Sequence, residues 1–178
     1  MGRDSYTLLK WLETGKPPLL GPQTSALPIN QSAIYFYILY PLFLLTNQHP
    51  LYALYTSAII YIFIFILSLY LSKKDSNIQK IILSIFFFFA IHPQFIIQNR
   101  YIWNPSLAPP FLLLALLCLL LLKKNFNYKY LLIFSLSMTT SVSLTYSITP
   151  FLIATLILSF FYFKRHFFKI LIYLFSSL

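Results

Sequence analysis

Residues 51–75 read LYALYTSAIIYIFIFILSLYLSKKD, in which 22 uncharged positions run from Leu51 to Ser72 and stop at Lys73-Lys74-Asp75. A bilayer core about 30 Å thick is crossed by roughly 20 apolar helical residues, so this stretch reads as one membrane span. Lysine and arginine are retained on the cytoplasmic side, so its basic end points inward. The same pattern recurs along the chain. Residues 106–122 lead to Lys123-Lys124, with Pro109-Pro110 in the first turn, where proline is tolerated. Residues 130–163 hold 34 positions without a charge and lead to Lys164-Arg165. One helix of that length would measure about 50 Å, so two spans, 130–145 and 148–163, are expected with a joint near Thr145 to Pro150. Residues 78–98 cross in the other direction, from Lys80 towards Asn99-Arg100, with a bend at His92-Pro93. Residues 167–178 begin a further, partial span. The expected fold is all-α, a polytopic transmembrane helical bundle. Nine of the thirteen Lys and Arg then lie on the inner side, with Asp4, Glu13 and Arg100 on the outer.

Composition excludes the common soluble classes. The chain is 59% hydrophobic and only 9% charged, against about a quarter charged in typical soluble domains, so it has too few polar groups for a water-facing surface. The formal charge of +10 does not indicate nucleic acid, which requires a basic face on a soluble scaffold. Here the cations stand at the ends of apolar runs. The single Cys118, set within a run of leucines, reads as a small apolar filler and excludes an intrachain disulfide.

All three glycines and two of the three acidic residues fall within the first 21 positions, which makes residues 1–31 an outer-face polar region. Asp4 to Glu13 forms a short amphipathic helix with Tyr6, Leu8, Leu9, Trp11 and Leu12 on its apolar side, suited to the membrane surface. Gly15, Pro17, Pro18, Gly21, Pro22 and Pro28 then predict an extended loop without regular structure. Residues 32–46 are apolar but short for a span, so an interfacial or re-entrant helix is expected. Tyr101 to Pro105 forms a tight outer connection.

Ionisable groups in such a protein are costly and mark sites. Asp4 beside Arg3 reads either as a general base for a hydroxyl or as a helix cap favoured by the helix dipole. Arg100 reads either as a phosphate ligand or as a side chain snorkelling to the interface. Glu13, between Lys10 and Lys16, reads as a solvated partner. His49 and His92 lack metal-ligand spacing and read as helix-end or packing residues, so no metal or cofactor is expected. The Tyr- and Phe-rich helix faces are those of lipid-facing helices.

Four motifs add a family resemblance. They are Gly2-Arg3-Asp4, Gly15-Lys16 with Leu20-Gly21-Pro22-Gln23-Thr24-Ser25, Ile34-Tyr35-Phe36-Tyr37-Ile38-Leu39-Tyr40-Pro41, and Asn99-Arg100-Tyr101-Ile102-Trp103-Asn104-Pro105-Ser106. In this order the chain resembles the bacterial polytopic glycosyltransferases of the GT-C fold. Within these it is similar to the family-39-like group related to protein O-mannosyltransferases and the lipid A aminoarabinose transferase. The resemblance implies transfer of a sugar from a polyprenyl-phosphate donor to a lipid, glycan or protein hydroxyl at the outer membrane face, with inversion. It implies Asp4 as catalytic base, with Arg3, Arg100, Tyr101 and Asn104 as substrate-binding residues. Some relatives use a divalent metal, but no second acidic ligand is visible here and no metal is expected. The chain departs from the family at Asn30-Gln31-Ser32-Ala33, where Gly-Pro is usual, and at Leu144-Thr145-Tyr146, where a Gln-x-His-Tyr-like stretch is frequent. The relatives are longer, so a fragment with a preceding apolar span is expected. The alternative expectation is a transporter or flippase-like module for lipid-linked sugars.

Overall fold

Proline and the small polar residues decide where the apolar runs are cut into helices. The computed structural model describes residues 2–24, 29–100, 104–162 and 167–176. Among these residues the regular structure is helical. It comprises α1 (Gly2–Thr14), α2 (Ile34–Leu45), α3 (Tyr52–Leu71), α4 (Ser76–Ile91), α5 (Pro93–Arg100), α6 (Ala108–Lys124), α7 (Tyr128–Leu144), α8 (Thr149–Tyr162) and α9 (Phe167–Ser176). Short 3-10 turns at Asn104–Leu107 and Tyr146–Ile148 lead into α6 and α8.

Two helical stretches, Tyr52–Leu71 and Pro105–Lys124, are long and apolar enough to cross a membrane, at 20 residues each with mean hydropathies of 2.2 and 2.3. The others are shorter. The stretch expected to be one bent span over 78–98 is two helices. His92, preceding Pro93, is pushed to an extended backbone (φ −72°, ψ 120°) because the pyrrolidine ring clashes with a helical neighbour. α4 therefore ends after 16 residues, and Pro93 opens α5, where its missing N–H costs nothing. The expected cut inside 130–163 is present. Thr145 is extended and its hydroxyl accepts from the Ser147 N–H, which starts the 3-10 turn.

α6 and α7 form the most extensive helix pair. Ala115 and Cys118 on α6 and Ser135 on α7 are fully buried, and small residues let two backbones approach closely. Their larger neighbours Leu114, Phe134 and Met138 build a core that also takes in Ile64 of α3, Ile78 and Ile82 of α4, and Ile170 of α9. A second core lies beneath α1 and α2, from Leu8, Tyr35, Leu39, Phe43, Tyr52, Ala108 and Leu144.

The bundle has two chemically different ends. At one, Asp75 caps α4 by accepting from the Ile78 N–H (3.1 Å) and pairs with Lys124 at the end of α6. The Lys124 ammonium, then the Ile78 amide, hold the Asp75 carboxyl below its ordinary range. That contribution to stability is present above the ordinary carboxylate pKa and is lost as the pH falls through the lowered value. At the other end, about 30 Å away along α3, lie α1, the loop after it, and the starts of α3 and α6.

The loop was expected to be irregular, yet it folds back on itself. Gln23 and Asn30 form an antiparallel bridge, Gly21 N–H donates to Gln31 O (2.9 Å), and Gln31 N–H donates to Pro22 O (3.0 Å). Prolines at 18 and 22 block a helix but leave the amides of Gly21 and Gln31 free to pair. A Cβ on Gly21 would lie 2.2 Å from Ser32 O, so only glycine permits this closeness. Gly21→Ala is therefore expected to cost about 1–3 kcal/mol through forced backbone displacement. The check is a lowered thermal unfolding midpoint together with faster proteolysis between residues 16 and 32.

Candidate functional site

The polar chemistry converges where α1 lies across α2. α1 is held by Leu8, which is fully buried, and by Trp11, stacked on Tyr40 at 3.7 Å and edge-on to Tyr37 at 5.4 Å. This amphipathic helix thus docks on protein through part of its apolar side, while Tyr6 and Leu12 of the same side remain exposed. Tyr37 donates to Pro18 O (2.8 Å), and Tyr146 of the α7–α8 connection donates to Asn30 O (3.2 Å). Those two bonds fix both ends of the folded loop beside the helix.

The docking places the first turn of α1 above two buried tyrosines. The Tyr35 hydroxyl donates to Asp4 Oδ2 (3.3 Å), and Arg3 Nε donates to Asp4 Oδ1 (3.3 Å). Next to them the hydroxyls of Ser5 and Tyr52 share a hydrogen bond of 3.1 Å. Arg3 is largely in solvent, whereas the Asp4 side chain is 14% exposed. Burial, and then the Asp4 charge, push the Tyr35 hydroxyl well above its ordinary range, so this phenol stays a neutral donor at every physiological pH. Asp4 thus accepts from one neutral and one cationic donor, one on each carboxyl oxygen. Its partners among the described residues are side chains, so the dipole of α1 favours Asp4 without consuming the carboxylate as a cap.

Of the residues expected in the site, the structure brings Asp4 and Arg3 together. Arg100 ends α5 and Asn104 opens the 3-10 turn before α6. Their side chains, like all of Tyr101, lie outside the described residues. Glu13 is exposed. His92 packs between Phe88 (4.7 Å) and Phe95 (5.7 Å), and His49 Nδ1 accepts from the Leu51 N–H in a turn. Both are the helix-end and packing residues that their spacing suggested. Among the described residues no group of three metal-ligating side chains occurs.

Tyr35 and Tyr52 were not singled out as site residues from the sequence. They are 0% and 2% exposed, with their hydroxyls in the site. The advance signals for Tyr35 were its place in the Ile34 to Pro41 motif and its position near the start of α2, at the level of the loop. No model of a protein family, no curated protein and no solved structure matches this chain.

Proposed function

We propose that the chain is a multi-pass membrane glycosyltransferase that moves a sugar from a polyprenyl-phosphate donor to a hydroxyl acceptor at the outer face, inverting the anomeric centre. Residues 1–31 then lie on the extracytoplasmic side, because the lysine doublets at the opposite end of the bundle are retained in the cytoplasm. One observation carries the reading. Asp4, one of the two carboxylates at this end, accepts from Tyr35 and Arg3, keeps 14% of its side chain exposed, and has the Ser5 and Tyr52 hydroxyls beside it.

The chemistry follows from that carboxylate. Asp4 takes the proton of the acceptor hydroxyl as the acceptor oxygen bonds to the anomeric carbon. The bond from that carbon to the phosphate oxygen breaks on the opposite face, and polyprenyl phosphate leaves with the electron pair. Negative charge then grows on the phosphate, where Arg3 or Arg100 would stabilise it. Tyr101 and Asn104, in the connection before α6, are placed by sequence to bind the sugar. A groove of about 660 Å³ between α3 and the α4–α5 pair, lined by Leu54, Ala58, Tyr61, Phe65, Phe86 and Phe89, starts half a turn below Tyr52. Its apolar walls suit the donor's isoprenoid tail.

A transporter would need unspent polar groups within the helices. The buried hydroxyls of Thr56, Ser72, Thr139 and Ser141 donate to backbone carbonyls, while Ser159 Oγ in α8 and His92 Nδ1 are buried without a partner among the described residues. The transferase reading is tested in right-side-out membrane vesicles containing the full chain, supplied with radiolabelled polyprenyl-phosphate sugars. Label passing to a hydroxyl acceptor supports it; no transfer from any such donor overturns it.

Tyr35 acts in this scheme as a positioning residue. Tyr35→Phe removes one donor to Asp4 and is expected to cost about 1 kcal/mol of stability. Turnover should fall about tenfold, as for a loss of roughly 1.4 kcal/mol from the barrier, while KM stays within about twofold. An unchanged kcat would remove Tyr35 from the mechanism.

A further inference from the structure

Six exposed lysines gather at the end of the bundle away from Asp4: Lys73, Lys74, Lys123, Lys124, Lys129 and Lys169. They come from α6, α7, α9 and the turn after α3, of which the end of α6 and the start of α7 adjoin in sequence. The Asp75–Lys124 pair joins the α3–α4 turn to the end of α6. Lys169 in α9 donates to the Tyr128 hydroxyl (2.7 Å) at the start of α7, next to Lys129. The one carboxylate at this end, Asp75, is already engaged by Lys124 and by the Ile78 amide. The chain's other two acidic residues, Asp4 and Glu13, belong to α1 at the far end.

A bland reading covers part of this cluster. Lys123 and Lys124 occupy the last turn of α6 and Lys73 and Lys74 follow α3, where cations complement the helix dipole. Cytoplasmic retention of lysine accounts for the side on which the rest stand. Lys129 stands in the first turn of α7, where the dipole opposes positive charge, and Lys169 stands in α9. An anion from outside the chain would complement the charge of the cluster.

The flanks of the cluster specify what kind of anion. Lys73 lies 4.8 Å over the ring of Tyr70, and Lys169 reaches the hydroxyl edge of Tyr128. Tyr70 and Tyr128, with Phe168 beside Lys169, are exposed. Below them the lipid-ready faces of α3 and α9 continue with Ile66 and Ile172, 59% and 65% exposed. Cations thus form a rim directly above apolar surface, with aromatics at the boundary, which is the complement of a phosphodiester headgroup above acyl chains. A free phosphate would match the charge and leave the apolar flank unused.

We infer that this end is a binding site for anionic phospholipid headgroups, built by the convergence of α3, α6, α7 and α9. The inference rests on the chain's insertion in a membrane and not on the transfer reaction, so it stands or falls separately from the role of Asp4.

The test uses the full chain in neutral detergent, titrated with phosphatidylglycerol, phosphatidylcholine or inorganic phosphate. Thermal unfolding and native mass spectrometry are the readouts. Phosphatidylglycerol is expected to raise the unfolding midpoint and to bind at least about tenfold more tightly than phosphatidylcholine, with inorganic phosphate producing no shift. Raising NaCl from 50 to 500 mM should remove most of that preference. The combined variant Lys73→Gln, Lys74→Gln, Lys129→Gln and Lys169→Gln should lose it, with Lys124 kept as the partner of Asp75. Lys10→Gln with Lys16→Gln, at the far end, should keep it. If the fourfold variant fails to fold, the salt dependence of the wild-type chain decides. The inference is overturned by equal affinity for the two phospholipids, by a preference insensitive to salt, or by inorganic phosphate reproducing the shift. Loss of the preference in the Lys10 and Lys16 variant would overturn it as well.

Discussion

Asp4→Asn is expected to lower sugar transfer by a factor of about 10²–10⁴, the usual contribution of a positioned general base. The substitution is nearly isosteric and keeps an oxygen that accepts from the Tyr35 hydroxyl, so α1 stays docked through Leu8 and Trp11. What it removes is the basic lone pair and the charge. Loss should therefore appear in kcat, with donor binding and membrane insertion retained. Thermal unfolding should shift little, because Arg3 lies largely in solvent and its pair with Asp4 contributes about 0–1 kcal/mol. Glu13→Gln is the matched control, since that carboxylate is exposed one helix end away, and its transfer rate should stay within about twofold of wild type. Radiolabel transfer in vesicles, normalised to inserted protein, checks both variants. Full activity of Asp4→Asn would leave the acceptor to be activated elsewhere and would end the assignment of Asp4.

The helices were legible because charge and proline punctuate them. The end of α3 at Lys73-Lys74, the cut at Thr145 and the start of α6 at its proline pair could all be read from residue order, since each depends on local backbone or solvation physics. Three features could not. The break at His92 was read as a bend, although the residue before a proline is driven out of the helix and nothing across it restored the lost bond. The pairing of Gly21 with Gln31 depends on two chain segments meeting, and prolines that argue against regular structure say nothing about such a meeting. The two tyrosines of the site carried no sign of burial among the 14 of the chain. Their burial is set by the packing of α1, α2 and α3 on one another, which no periodicity within one helix encodes. Of the site itself, Asp4 beside Arg3 was legible and its main neutral donor, Tyr35, was not. Fully apolar helices have weak sidedness in sequence, so a buried face and a lipid face look alike until the partner helix is known.

That ambiguity makes Phe134→Ala a sharp test of the packing. Phe134 is fully buried on α7 and belongs to the cluster that joins α3, α4, α6 and α9. Phe87 on α4 is chemically the same residue in an equally apolar helix, yet it is 66% exposed. In water both deletions would change the burial of apolar surface. In lipid, acyl chains are as apolar as the side chains they touch, so escape from water contributes little between helices. The loss at position 134 is then mainly one of packing. Removing the ring leaves a void in a close-packed centre and forfeits its dispersion contacts, for a cost of about 3 kcal/mol. At position 87 lipid fills the space, and the cost should stay within about 0.5 kcal/mol. Unfolding by SDS titration in mixed micelles measures both. Equal costs would mean that α6 and α7 do not pack through the Phe134 face. A larger cost for Phe87 would place α4, and not α7, at the centre of the bundle.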